Sequence, residues 1–375
     1  INIMQNSHDL IRDRIGEKFP QSCQSLVTSF TGRANVKTVE MKMKEPSIVL
    51  KNWNKNTQFL IDLIVLLSAI LLHIMLIKYA GLFIQLIWSP WLILITTGRL
   101  RKFQVTHGHH LSHITIKDRT PLDSFLLEIS CLIPWSQNYI EYKRDHNIHH
   151  TKASFTGDND PDAALLLQLG FLPGLSKENL WKHLFKTFLN PSFHKLLIVA
   201  RFRSNFHNIS LTKLFYLGIH LGLLYHFGPY IFFLVVLVPW FPIYHISALL
   251  QFLSEHQWLV TPEPPKTPDE YAKRCWGRFL GEEPPDNSDL IKLIGWYLRI
   301  FLYHLPIRIS VLVGDLPGHD WHHLVKNDPN QWVDFSELRT AHILKGEMPD
   351  QSFWGIDRVI DHVFEGLSNS TFVVG

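Results

Sequence analysis

Charge is absent from long stretches of this chain. Residues 80–97, 214–227 and 229–251 contain no Asp, Glu, Lys or Arg, and residues 59–77 contain only Asp62. A bilayer span takes roughly 20 apolar residues, so these runs exclude an ordinary water-soluble domain. Cysteine is scarce too. Cys23, Cys131 and Cys275 are scattered and odd in number, which argues against a disulfide framework or a thiolate cluster. His-Glu-x-x-His does not occur, which tells against an intramembrane zinc hydrolase. No Gly-x-Gly-x-x-Gly follows a strand-like run, so the chain brings no dinucleotide site of its own. The net charge of +3 forms no basic block and gives no reason to expect nucleic acid. The first 57 residues are polar and mixed in charge, without a secretory signal. Thr371–Gly375 is no lipidation signal. The chain opens on Ile1, and Met41, at the head of a basic stretch, is read as an alternative start.

What is present organises around those runs. The chain has 375 residues, 46% of them hydrophobic, and a mean hydropathy of +0.04. Spans at about 59–77, 80–97, 211–227 and 229–251 predict two membrane hairpins, the second turning at Gly228-Pro229. The turn of the first holds only Lys78, and that of the second holds neither Lys nor Arg. Basic residues gather instead in 1–57, in 98–144 (Arg99, Arg101, Lys102, Lys143 and Arg144 among them), in 176–213 and in 261–308. The positive-inside rule then places both termini on the cytoplasmic side. Residues 121–135, 163–175 and 288–313 suit helices lying in the interface, and 261–287, rich in Pro, Glu and Asp, reads as a loop. The predicted fold is an all-α membrane protein: four transmembrane helices in two hairpins, with a cytoplasmic helical cap. Its parts are a partly flexible cytoplasmic region 1–54, a membrane domain 55–335 and a cytoplasmic tail 336–375.

Histidine is the conspicuous residue. His107, His109, His110 and His113 form one cluster, His146, His149 and His150 a second, and His319, His322 and His323 a third. The second and third share the spacing His-x-x-His-His, and all three fall on the side read as cytoplasmic. Imidazole is the commonest protein metal ligand, and residues three and four apart share a helix face. Each cluster can therefore aim two or three ring nitrogens at one point. His109, His113, His146, His149, His150, His319, His322 and His323 together supply too many for one tetrahedral zinc. They suit two metals with open positions. Nitrogen-rich sites take Zn, Cu, Fe or Ni, so the ligand set alone does not name the metal.

Other residues read more plainly. His73, His220 and His226 lie in spans away from the clusters, and His183 and His194 lack a partner at metal spacing. His245, inside the fourth span, is a candidate for lining a substrate channel. Asp158, Asp160 and Asp162 lack the full EF-hand spacing and read as a loop.

His109-x-x-x-His113, His146-x-x-His149-His150 and His319-x-x-His322-His323 resemble the three histidine boxes of the membrane fatty-acid desaturase and hydroxylase superfamily. Their order and their placement around the hairpins are similar, over about residues 55–335. The resemblance implies a non-haem centre of two Fe ions that uses O2 as co-substrate. It also implies a further ligand at the end of the last span, where Glu255-His256 makes His256 the candidate. His107 and His110 depart from the usual first box and are possible additional ligands. Carboxylates commonly hold the far nitrogen of a metal-bound His, and Asp145, Asp315, Asp320 and Glu255 are the candidates beside the boxes.

The activity implied is desaturation of a fatty-acyl chain. Hydroxylation or monooxygenation of an acyl, alkane or carotenoid substrate is the alternative. With no fused His-Pro-Gly-Gly haem domain, an external electron donor of ferredoxin, cytochrome b5 or rubredoxin type is implied. A His-rich metal transporter is the rival from another class, but its ligands belong near the bilayer midplane.

Overall fold

The computed structural model describes residues 7–44, 54–115, 117–207, 209–286, 289–325 and 331–372; Ile1 and residues 373–375 lie outside them. Short helices α1 (Ser7–Glu17), α2 (Gln24–Thr31) and α3 (Val36–Lys44) lead to the long α4 (Lys55–Tyr79) and α5 (Leu82–Lys102). A π-helical stretch, Phe103–Gly108, carries α5 into α6 (His109–His113). Then come α7 (Pro121–Leu132), α8 (Tyr139–His149), α9 (Pro161–Gln168), α10 (Lys177–Phe188) and α11 (Pro191–Phe206). The second apolar region is α12 (Leu211–Phe232), α13 (Val238–Trp240) and α14 (Pro242–Glu255). After it follow α15 (Pro268–Ala272), β1 (Gly277–Phe279), α16 (Leu290–Arg299), α17 (Leu305–Ser310), α18 (His319–Leu324), α19 (Phe335–Leu344), β2 (Ser352–Trp354) and α20 (Ile356–Ser368).

Polar side chains set the helix starts. Asn54 caps α4 by accepting from the Asn56 N–H at 3.0 Å, and Thr120 with Asp123 makes a capping box on α7. Each satisfies amides that the first turn leaves without partners. Along α4, Leu60, Ile64, Leu67 and Leu71 are exposed at helical spacing. A helix apolar on its outward face as well as its inward one belongs in hydrocarbon. Asp62 is the one acidic residue in that helix, and it is buried. It accepts from Arg99 at 2.6 Å and pairs with Lys102 at 2.8 Å, which ties α4 to α5.

Among the described residues, four helical stretches are long and apolar enough to cross a membrane: Lys55–Tyr79, Leu82–His113, Leu211–Glu255 and Leu290–Ser310. They do not map one to one onto the four predicted spans. The third stretch contains both arms of the second hairpin. Gly228 has φ +80° and ψ 168° there, a conformation open to glycine. Beyond it the chain doubles back, so that His220 and Trp240 lie with ring centroids 5.9 Å apart. The return arm breaks again at Phe241-Pro242, where proline removes a donor. The fourth stretch is the segment predicted to lie in the interface. Its Trp296 and Ile300 pack with Ile15, Val27, Phe279 and Trp354, while Leu290, Ile291, Leu298 and Leu302 stay exposed.

The residues beyond 335 are part of the core. Val359, Ile360, Val363, Phe364 and Leu367 of α20 are buried with Leu249 and Leu253 of α14 and Leu180 and Leu184 of α10. β1 and β2 pair in parallel. Arg33, just after α2, makes a bidentate pair with Asp350 at 2.8 and 2.7 Å, so the N-terminal helices are fastened to the same strand pair.

Candidate metal centre

The histidine boxes lie on short helices that converge, and each of the second and third is split between two groups of nitrogens. One group holds His109, His113, His146, His150 and His322; the other holds His149, His256, His319 and His323. Within each group the ligand atoms all lie within 4.8 Å of one another. The split follows from helix geometry. At about 100° per residue, positions i and i+4 point nearly the same way, while i+3 points to the other side. His146 and His150 therefore serve one group and His149 the other. In α18 the same rule sends His319 and His323 to one group and His322 to the other. Spacing alone suggested that each box aims at one point; the structure divides the second and third boxes between two. His256 reaches its group differently. It follows the last residue of α14 in an extended conformation and bridges to Cys275.

The donor set fits a pair of ions. At metal–nitrogen distances of about 2.0–2.1 Å, neighbouring ligands around one ion stand roughly 3 Å apart. His109 and His322 bring their Nε2 atoms to 2.8 Å, as do His113 and His146. His150 stands 3.0 Å from His146 and 3.2 Å from His322. In the second group His319 and His323 are 2.9 Å apart. The Nε2 of His256 is buried with no hydrogen-bond partner among the described residues. Burial, reinforced by neighbouring rings, pushes His146, His150, His319, His322 and His323 well below the ordinary imidazole range. Neutral rings are the form that binds metal.

Behind the rings, acceptors fix the tautomers. His109 donates from Nδ1 to the Val105 carbonyl at 3.3 Å, and His256 to that of Arg274 at 3.2 Å. The Tyr271 hydroxyl stands 3.0 Å from His323 Nδ1. His149 donates from Nδ1 to Asp160 at 2.9 Å. Burial works against a charged His149, but the charge and hydrogen bond of Asp160 outweigh it and raise the ring to about 9. Such partners leave Nε2 facing the metal position and raise its basicity.

The carboxylates named from sequence take other places. Asp145 accepts from Gln137 and Arg144. Asp320 is buried against Arg339 at 2.7 Å, and Asp315 accepts from Thr106 and pairs with His110. Glu255 lies 3.2 Å from His319 Nε2, on the metal-facing side of the ring, and is backed by Arg278. The loop reading of Asp160 missed its role. The signal available was Asp160-Pro161, a helix start a short step after the second box.

His107 and His110 belong to neither group. His107 Nε2 lies 2.7 Å from Asp62, and His110 Nε2 lies 2.7 Å from Asp315. The π-helical stretch before α6 rewinds the backbone between these rings. His110 remains close, stacked on His109 with centroids 4.8 Å apart. His73, His183, His194, His220 and His226 are also outside both groups. His183 bonds the Leu169 carbonyl and His220 that of Tyr216.

Two cavities meet beside the rings. One, of about 100 Å³, is bounded by His109, His146, His149 and His319. The next, of about 170 Å³, shares Arg101, Gln104, Gln137 and Phe252 with it and continues past Phe193, Leu197, Leu249 and His245. His245 thus lines the second cavity.

Helices apolar on their outer faces, enclosing two adjoining groups of histidine nitrogens, define an integral membrane protein built around a metal-binding site. The family profile for fatty acid desaturase matches residues 86–352, and the chain belongs to that family. It is therefore a membrane oxidoreductase of the desaturase and hydroxylase superfamily. No curated protein and no solved structure matches the chain.

Proposed function

We propose that this chain is an O2-dependent di-iron enzyme that introduces a double bond into a fatty-acyl chain. The observation that carries the reading is the pair of nitrogen groups joined through shared helices, bordering a cavity that adjoins a partly apolar one. Iron held there would supply the O2 activation needed to take hydrogen from an unactivated C–H bond, which redox-inert zinc does not. The nine ligand residues in their roles are His109, His113, His146, His150 and His322 for one ion and His149, His256, His319 and His323 for the other. Glu255 and Asp160 hold or orient rings of the second set. Phe193, Leu197, Leu249 and Phe252 give an alkyl chain an apolar path and keep water from it.

The reading places the site and both termini on the cytoplasmic side, supported by the scarcity of Lys and Arg at the two hairpin turns. It takes electrons from a donor of ferredoxin, cytochrome b5 or rubredoxin type, the type that the family resemblance implies. The test is lipid profiling of a host expressing the chain, by gas chromatography and mass spectrometry, with the His322→Ala variant as control. A new double bond made only by the parent chain supports desaturation. A new hydroxyl in its place would assign hydroxylation. Unchanged lipids, with two irons bound, would sink the acyl-chain reading.

A further inference from the structure

Among the described residues, buried arginines face carboxylates, with two exceptions that line one cavity. Arg33 pairs with Asp350, Arg278 with Glu255 and Arg339 with Asp320. Arg101 and Arg201 are 2% and 8% exposed, and their hydrogen-bond partners among the described residues are all neutral. Arg101 donates to the Gln251 side chain, and its Nε is buried without a partner. Arg201 donates to the carbonyls of Trp135, Trp240 and Pro134 and to His245 Nε2 at 2.8 Å. That last bond fixes His245 as an acceptor and hence neutral at Nε2, since a guanidinium has only protons to give. Both cations lie over the Tyr244 ring, Arg101 at 5.0 Å and Arg201 at 4.5 Å from its centroid. Both line the cavity of about 170 Å³ next to the histidine groups.

A buried charge without a counter-charge is costly. Arg201 has spent most of its donors on backbone and supplies mainly field. Arg101 keeps most of its fork free, and that fork matches a carboxylate by two parallel bonds. We propose that the cavity between Arg101 and Arg201 binds the free carboxylate of a long-chain fatty acid. This rests on the acyl-chain reading above and names its head group. Arg101 and His109 border the same cavity of about 100 Å³. The alkyl chain then lies along Phe193, Leu197 and Leu249 of the second cavity, which Arg101 also lines.

The test is binding to the purified, metal-loaded full chain in detergent. Tritiated palmitic acid is competed with palmitic acid, hexadecanol and hexadecyl phosphate at neutral pH. The expected result is that the acid competes at least ~10-fold better than the alcohol, the scale of a hydrogen bond to a charged group. Arg101→Gln brings that ratio to about one, and Arg101→Lys restores part of it. Equal competition by acid and alcohol in the parent chain would overturn the proposal, and this arm needs no variant to fold. So would an unchanged ratio in Arg101→Gln, or hexadecyl phosphate competing best. The assay involves no turnover. A chain that alters host lipids yet ignores the carboxylate refutes this site alone. A chain that prefers the acid but alters no lipid refutes only the reaction.

Discussion

Replacing Asp160 by Asn tests whether the second nitrogen group depends on a residue outside the histidine boxes. Asp160 is fully buried. It accepts from His149 Nδ1 at 2.9 Å, from the Thr156 N–H at 2.9 Å and from the Asp162 N–H at 3.0 Å. The first two converge on one oxygen and the third, the cap of α9, uses the other. Asn offers one oxygen only. Its amide nitrogen must face a donor whichever way it turns. If it keeps the cap, His149 and Thr156 lose their acceptor, and a hydrogen bond to a charged group is worth about 1.5–3 kcal/mol. Loss of a carboxylate behind a ligating His typically weakens metal binding about 10–100-fold. Asp160→Asn should therefore fold and release one of two ions about 10–100-fold more readily. Chelator competition on purified protein, read by elemental analysis, measures this. The neighbouring, exposed Asp158→Asn should match the parent. An Asp160→Asn protein that holds both ions as tightly as the parent would refute the role given to this carboxylate.

His256→Ala should cut bound metal from two ions toward one, whereas His110→Gln should keep both, since His110 Nε2 faces Asp315; metal-to-protein ratios decide. Asp350→Asn should lower stability by about 3–5 kcal/mol at neutral pH, because it leaves Arg33 buried and half-paired. Burial opposes the Asp350 charge, but the hydrogen bonds and charge of Arg33, with Arg339, outweigh it and hold the carboxyl below its ordinary range. A depressed folded value contributes fully above about pH 4 and is lost as pH falls through the folded value. Thermal melts against pH should thus show a flatter acid limb in the variant. Gly98→Ala should cost about 1–3 kcal/mol by overpacking. A methyl there would overlap the Ile309 carbonyl oxygen of α17, and an unchanged melting temperature would remove that contact from the account.

The residues that sequence located best are those whose chemistry repeats. Uncharged runs marked the hairpins, because hydrocarbon tolerates few charges. Histidines three and four apart marked the rings, because a helix brings such positions together. What spacing left open was set by backbone that propensity rules do not describe. The π-helical stretch at Phe103–Gly108 turns His107 toward Asp62 and His109 toward the other boxes. Asp62, in sequence an isolated charge in an apolar run, is explained only when α5 supplies Arg99 and Lys102. Asp160 and Tyr271 lie in segments that read as loops, and the ring that Tyr271 meets, His323, is distant in the chain. The packing of α20 under α14 was equally hidden, since a short amphipathic helix does not announce which face of the molecule it will cover.

Because α8 and α18 each give rings to both nitrogen groups, two ions held there as proposed would not bind independently. An ion seated among His109, His113, His146, His150 and His322 fixes the orientation of both helices, and with them His149, His319 and His323. The second ion then meets ligands whose ordering entropy has already been lost, so it binds more tightly than it would alone. Linkage makes the effect mutual. Titrated with metal, the chain should pass from empty to doubly filled with little of the singly filled form. That favours an all-or-none supply of competent centres at limiting metal.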